Sequence, residues 1–459
     1  MTPPTLVATE SATWTWTIVE TSFSGGNPWG ERAYAPTDTA ATPVIVVDLR
    51  AVRQTILGFG GALTESAAWA LSQLSPETRA GVIARCFDPA DGLRYTLART
   101  HINSCDFSLS TWSLDETPGD FDLAEFTLEP MRTWVMPLVH EAFAAAGGKL
   151  QLLASPWSPP AWMKTTGKMC HGGELRPDCR DAWARFYVKF ITALRDEEQI
   201  PVWGLTVQNE PAAVQVWESC VYSAEAERDF VRDHLGPALA EAGLADVRLM
   251  VWDHNRDLLL ERGTAVLSDP KAAAFVWGTA LHWYMSEDFS QTADLHAAFP
   301  DKHFVFSEGC WEGGAKPGQW DRGARYARNI IGDLRNWVEG WIDWNLALDL
   351  KGGPNHVGNF CDAPVLVDTE KGEAIYQSSF YYLGHFSRYF RPGAQIVASE
   401  GEAGGLHHVA ALNPDGTLAV VIHNESSRAV AFRLVIGEEE LSTEIPALAI
   451  QTYLRAPRG

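Results

Sequence analysis

The chain lacks the marks of several protein classes. No apolar run approaches the roughly 18 residues that a membrane-crossing helix needs. Basic residues are scarce, 36 against 58 acidic ones for a net charge of −22, and no basic run interrupts that background. Such a surface repels nucleic acid and anionic membrane, so neither is an expected partner. The seven cysteines, at 86, 105, 170, 179, 220, 310 and 361, include no CxxC pair, which removes zinc-ribbon and thioredoxin-type readings. Asp253 and His254 lack the spaced partners of an HExxH-type metal site, and no metal ligand set is expected. The "GFGG" run at 58–61 has the wrong spacing for a phosphate-binding fingerprint, which weighs against an open dinucleotide-binding sheet. The first twenty residues show no basic segment followed by an apolar core, so no secretory leader is read and a cytoplasmic address is expected. Reduced thiols suit that address, although Cys170 and Cys179 share one loop and a bridge between them stays open.

What is present is a soluble globular composition, 46% hydrophobic and 20% charged, with 19 tryptophans among 459 residues. That length suits a large barrel with an appendage. Both ends read as β-structure: "TWTWTIVET" alternates, "TPVIVVDL" is an apolar run, and the last 70 residues hold five short strand-like runs separated by turn formers. A β-sandwich built from residues 1–50 and 390–459 is therefore expected. The middle, residues 51–389, holds eight short apolar runs: "ILGFGGA", "RYTLARTHI", "LQLLASPW", "VWGLTVQNEP", "VRLMVWDHN", "AFVWGTALHWY", "HFVFSEGC" and "GWIDWNLAL". Amphipathic helical stretches fall between them, including 75–87, 179–197 and 223–243. Eight such units in an α/β chain predict a (β/α)₈ TIM barrel.

In that fold, function gathers where the strands end. The second run leads to Arg99 and Asp106. The third ends at Trp157, the fourth at Asn209 and Glu210, the fifth at Asp253 and His254. The sixth ends at His282 and Tyr284, the seventh at Glu308, the eighth at Trp344. The fourth and seventh strands face each other across the mouth, and both deliver a glutamate. Cleavage of a glycosidic bond needs one carboxylic acid to protonate the leaving oxygen and a second carboxylate to attack carbon or activate water. At about 5–5.5 Å separation the pair supports a covalent, retaining route, and mutual repulsion keeps one of them protonated. Pro211 stops the strand and fixes the turn that presents Glu210.

The blocks "GFGGALTESAA", "CDFSLSTWSLDETPGDFDL", "LLASPWSPPAWMKT", "VQNEPAA", "SEGCW", "GWIDWNLALDLKGGPN" and "FYYLGHFSRYFRPG" resemble glycoside hydrolase family 30, in particular its glucosylceramidase-like branch. The resemblance runs from about residue 57 to 425. It implies a barrel with a sandwich made from both chain ends and a retaining, exo-acting β-glycosidase that needs no cofactor. It implies Glu210 as acid/base, Glu308 as nucleophile, and Asp106, Trp157, Asn209, Trp344 and Asn359 as sugar contacts. Tyr284 would hydrogen-bond the nucleophile, and Arg99 would be a buried charge partner beneath the site. His282 joins the expected substrate contacts, as does Trp217 where the aglycone leaves. The loops at 167–179 and 214–222 depart from the branch's pattern on the aglycone side. β-Glucose is the expected sugar, with β-xylose and β-fucose as alternatives. A silent carbohydrate- or lipid-binding barrel is the alternative from another class; it would not require both glutamates. The sequence is silent on oligomeric state.

Overall fold

The computed structural model describes residues 14–23, 28–36, 43–401 and 404–457. Residues 1–13, most of the stretch searched for an export leader, lie outside them. The chain divides into two compact units, Leu57–Arg388 and the remainder on either side of it, the division falling just after the strand Val44–Thr55.

The central unit is a closed barrel of eight parallel strands. In chain order they are Gly58–Ala62, Leu97–Ile102, Gln151–Pro156, Val202–Thr206, Arg248–Asn255, Gly278–His282, His303–Glu308 and Gly340–Asp343. All eight apolar runs form these strands. They lack polar alternation because helices cover the outside while side chains fill the inside. Leu97, Leu153, Met250, Ala280, Val305 and Ile342 form an apolar plug in the lower barrel. Side chains alternate along a strand, so two residues further on the same inward face carries Arg99, Ser155 and Ser307. A polar, fully buried layer thus lies on the plug.

On the fifth strand that count fails by one. After Met250 the next inward residue would be Trp252, but the register shifts between Trp252 and His254. Trp252 and Asp253 adopt φ of 73° and 47°. This bulge turns Asp253 inward and leaves Trp252 beneath the Arg262 guanidinium, 4.6 Å from the ring centre. Bulges of this kind re-aim side chains beside functional sites. A second shift, between Phe306 and Glu308, sets Glu308 opposite His282.

The helices follow their sequence patterns. Ser75 caps the helix Pro76–Phe87 by accepting the Thr78 N–H. Arg180–Asp196 buries Trp183, Phe186, Tyr187, Phe190 and Leu194 along one face. The stretch 223–243, which reads as one amphipathic helix, is interrupted by a π-helical turn at Val231–Leu235. Pro237 explains the interruption, since it has no N–H to donate back along the helix and its ring crowds the preceding turn.

The other unit is a nine-stranded sheet in which Trp14–Ser22 pairs with Ala449–Pro457 and Val44–Thr55 pairs with Gln395–Glu400. Both chain ends therefore supply it. The sheet folds over itself: Phe432 and Tyr453, on strands separated by four others in the hydrogen-bonded order, pack ring to ring at 5.9 Å. Ile18, Ile45, Val420, Phe432, Leu434 and Tyr453 lie in the core between the layers.

Candidate active site

The polar layer is organised by Arg99, fully buried. Its guanidinium donates to Glu308 Oε2 at 2.5 Å, to Asp253 Oδ2 at 2.8 Å, to Asn209 Oδ1 at 2.8 Å and, through Nε, to Ser155 Oγ at 3.1 Å. All three nitrogens of the planar fork are engaged, which fixes one orientation. Asp253 accepts from Arg99 and Thr206 on one oxygen and from Ser307 and His282 on the other. Burial opposes its charge, but Arg99 and His282 outweigh burial and hold the carboxyl well below the usual range.

Above this floor sit the two glutamates. Glu210 has φ of 49°, a left-handed conformation that costs a bulky residue about 1–3 kcal/mol. It is held there by its N–H to the Asp253 carbonyl, 2.9 Å, and by its carbonyl accepting the Ala213 N–H, 2.9 Å. Asn209 is anchored by its N–H to the Pro156 carbonyl at 2.8 Å. The Asn-Glu-Pro ending is thus a strained turn pinned to both neighbouring strands. Glu308 is gripped on both oxygens, by Arg99 and by the Tyr284 hydroxyl at 2.9 Å. One nitrogen, His282 Nδ1, lies 3.5 Å from Glu210 Oε1 and 4.0 Å from Glu308 Oε1, so the two carboxylates are neighbours.

Burial disfavours the His282 cation, but Glu308, Asp253 and Glu210 overcome it and raise the imidazole to about 9. His282 is therefore protonated at neutral pH. Burial also acts on both glutamates. It lifts Glu308, with Glu210 adding to the effect against His282 and Arg99. For Glu210, the close approach of His282, the charge of His254 and the Gln215 side chain outweigh burial and hold it below the ordinary value. Without substrate, then, Glu210 is the stronger acid of the pair.

The cleft over these groups has a volume of about 210 Å³ and is lined by Asp106, Trp157, Asn209, Glu210, Trp217, Tyr284, Glu308, Trp344 and Asn359, among others. Trp157 and Trp344 stack at 5.1 Å with Arg99 behind both rings. Gln208 Nε2 donates to the Trp157 carbonyl at 2.7 Å and holds that wall. Asp106 accepts from Asn359 at 3.0 Å and Asn355 at 3.4 Å. Burial raises Asp106 to about 8, against the Asn359 hydrogen bond.

The residues expected at the site are thus drawn together, with one correction. His282 is not a wall of the cleft. It is wholly buried, and its ring is occupied by Asp253 below and the glutamates above. The sixth strand ends with His282 pointing into the barrel, where it meets the carboxylates rather than the cleft. Sequence reasoning passed over Gln215, Met285, Cys310, Glu312 and Cys361, which also line the cleft. The two cysteines flank motifs already singled out, "SEGCW" and "GNF", which was the available clue. All seven cysteines are free, Cys170 and Cys179 included. The lack of spaced metal partners in the sequence is made good in space for His254: ligand atoms of Glu210, His254 and His282 lie within 4.8 Å of one another.

Two neighbouring carboxylates at the C-terminal mouth of a (β/α)₈ barrel, beside stacked tryptophans, are the equipment of a glycoside hydrolase. The chain belongs to glycoside hydrolase family 30. The model of that family's TIM-barrel domain matches residues 56–390, and the model of its β-sandwich domain matches 393–453. The chain is 39% identical over 424 residues to the lysosomal acid glucosylceramidase of Mus musculus, covering 87% of this chain and 81% of that one. The structure of SrfJ from Salmonella typhimurium superposes with a TM-score of 0.90 at 34% identity, covering 96% of this chain and 99% of that one. An endo-β1,6-glucanase structure superposes at 0.87 with 27% identity, covering 97% and 100%.

Proposed function

We propose that the protein is a retaining, exo-acting β-glucosidase of the glucosylceramidase type, releasing a terminal glucose from an apolar aglycone. The observation that carries the mechanism is the pair Glu210 and Glu308, set 3.5 and 4.0 Å from a single imidazole nitrogen. Glu308 attacks the anomeric carbon, because Arg99 and Tyr284 fix both its oxygens. Glu210, which no arginine holds, protonates the leaving oxygen. The proton order of the empty site opposes this assignment, and substrate must reverse it. A sugar over Glu308 excludes water, and a Glu308 charge kept by Arg99 and Tyr284 raises Glu210. Once Glu308 is esterified that repulsion ends, Glu210 becomes more acidic, and it takes the proton of the incoming water.

Exo action is supported by the Asp106–Asn359 contact, which walls one side of the cleft. The apolar aglycone is supported by the rim. Val214, Val216 and Met285 are 67%, 55% and 71% exposed, and they flank or belong to the cleft lining at Gln215, Trp217 and Tyr284. The mouse relative's name as a glucosylceramidase points the same way. The endo-β1,6-glucanase relative favours a second reading, in which an oligoglucoside occupies the same rim.

Aryl β-glucoside, glucosylceramide and a β1,6-glucan compared side by side, with product stereochemistry followed by NMR, test the reading. Expected are retention, activity on the first two substrates, and glucose as the sole sugar released. Inversion overturns the mechanism, and internal cleavage of the glucan overturns exo action. Glu308→Gln abolishes turnover of an aryl glucoside. Glu210→Ala slows poor leaving groups most, and azide restores part of that activity; equal loss for good and poor leaving groups refutes the acid/base role.

A further inference from the structure

We propose that Glu210, His254 and His282 form a reversible inhibitory site for a divalent transition-metal cation, with zinc the best-fitting ion. Ligand atoms of all three side chains lie within 4.8 Å of one another at the floor of the cleft. Two imidazoles and a carboxylate are the donor set of three-ligand zinc sites, in which water or a ligand takes the fourth position. Here the cleft supplies that position. Nitrogen donors favour zinc or copper over magnesium and calcium, which prefer all-oxygen shells.

Two independent features point to a ligand. His282 Nδ1 is a wholly buried polar atom with no hydrogen-bond partner; it faces Glu210 Oε1 at 3.5 Å. The other ring nitrogen, Nε2, lies 3.0 Å from Asp253 Oδ1. A histidine whose second nitrogen donates to a carboxylate is the outer-shell arrangement that orients metal-binding imidazoles. Asp253 is itself locked by Arg99, Thr206 and Ser307, so the ring cannot rotate away. His254 accepts the Asn255 N–H through Nδ1 at 2.7 Å and so carries no proton there. That hydrogen bond is the one contact the site gives up.

On binding, the metal–nitrogen bond at His282 replaces its Nδ1–H bond, and the proton leaves to solvent. Glu210 adds a lone pair, and His254 adds the one it frees from the Asn255 N–H. Glu210 is then unable to give or take a proton, so occupancy stops glycoside cleavage. Only that inhibitory consequence rests on the role proposed above for Glu210; the binding site does not.

Zinc titrated into the full chain by calorimetry, without substrate, tests the site. Expected is saturable one-to-one binding, inhibition of aryl glucoside hydrolysis in proportion to occupancy, and reversal by chelator. His254→Ala weakens zinc binding at least tenfold, while Cys170→Ser leaves it unchanged. Absence of saturable binding, or equal affinity in wild type and His254→Ala, overturns the proposal. Should His254→Ala fail to fold, cobalt added to the wild-type chain decides. Visible bands of a four-coordinate nitrogen/oxygen site support the assignment, and a thiolate charge-transfer band overturns it. A chain that binds zinc in this way but cleaves no glycoside keeps the metal site and loses the proposed function.

Discussion

At the scale of single residues the site is a stack of charge. Asp253 and Arg99 form the base, His282 stands on Asp253, and the two glutamates lie above. Such a stack is costly to desolvate and is stable only when complete. Removing the Asp253 charge leaves two buried cations with Glu308 as their principal partner. Asp253→Asn is therefore expected to lower unfolding stability by roughly 3 kcal/mol, the low end for a broken buried pair. The check is the urea midpoint at unchanged slope. Activity falls as well, since His282 loses one of the groups that keep it charged. Asn209, Glu210 and Glu308 were legible in the sequence because each ends an apolar run; Arg99 lies inside the strand Leu97–Ile102, and its role was legible only through the family resemblance. The inward turn of Asp253 was not, because it depends on a one-residue bulge that no run of side-chain types announces.

At the scale of elements, the strands and their loops position that stack. Gly60 on the first barrel strand lies so close to the second that an added Cβ would stand 1.9 Å from the Leu97 carbonyl oxygen. Gly60→Ala must push the strands apart two residues before Arg99. It is expected to lower the melting temperature and kcat together, read by thermal unfolding and by assay. The loops are tied by His356, which contacts the Ser108 carbonyl at 3.1 Å and buried Glu218 at 3.4 Å. It sits between Asn355 and Asn359, the residues that hold Asp106. Burial disfavours its charge, but Cys170, Glu218 and the Ser108 carbonyl overcome this and raise it to about 10. A histidine that binds its proton more tightly when folded contributes fully below its unfolded value of about 6.5 and loses that contribution as pH rises through about 10. Wild type should therefore lose more stability than His356→Gln between neutral pH and pH 10, measured as the difference in urea midpoint. If the two curves run parallel, the latch contributes nothing.

At the scale of the whole molecule, the net charge of −22 governs encounter with substrate. With the glycolipid substrate proposed above, hydrolysis in neutral vesicles should be faster than in vesicles containing phosphatidylserine. The gap should close as salt shortens the reach of the repulsion to about 8–10 Å. Rates measured in both vesicle types across ionic strength check this. Faster turnover on the anionic vesicles would mean that a local patch outweighs the global field.

The sequence alone determined the order of elements, the eight barrel strands and the β-structure of both chain ends. Those follow from hydrophobic period and turn chemistry, which are local. It also marked the strand-end carboxylates, because a buried apolar run that stops at a glutamate is conspicuous. Tertiary structure decided what stands behind them. That His282 lies beneath the glutamates, that Asp253 rather than Trp252 turns inward, and that His254 joins Glu210 all depend on the register between neighbouring strands. Register is fixed by hydrogen bonds between segments far apart in the chain, and only the closed barrel brings those segments together.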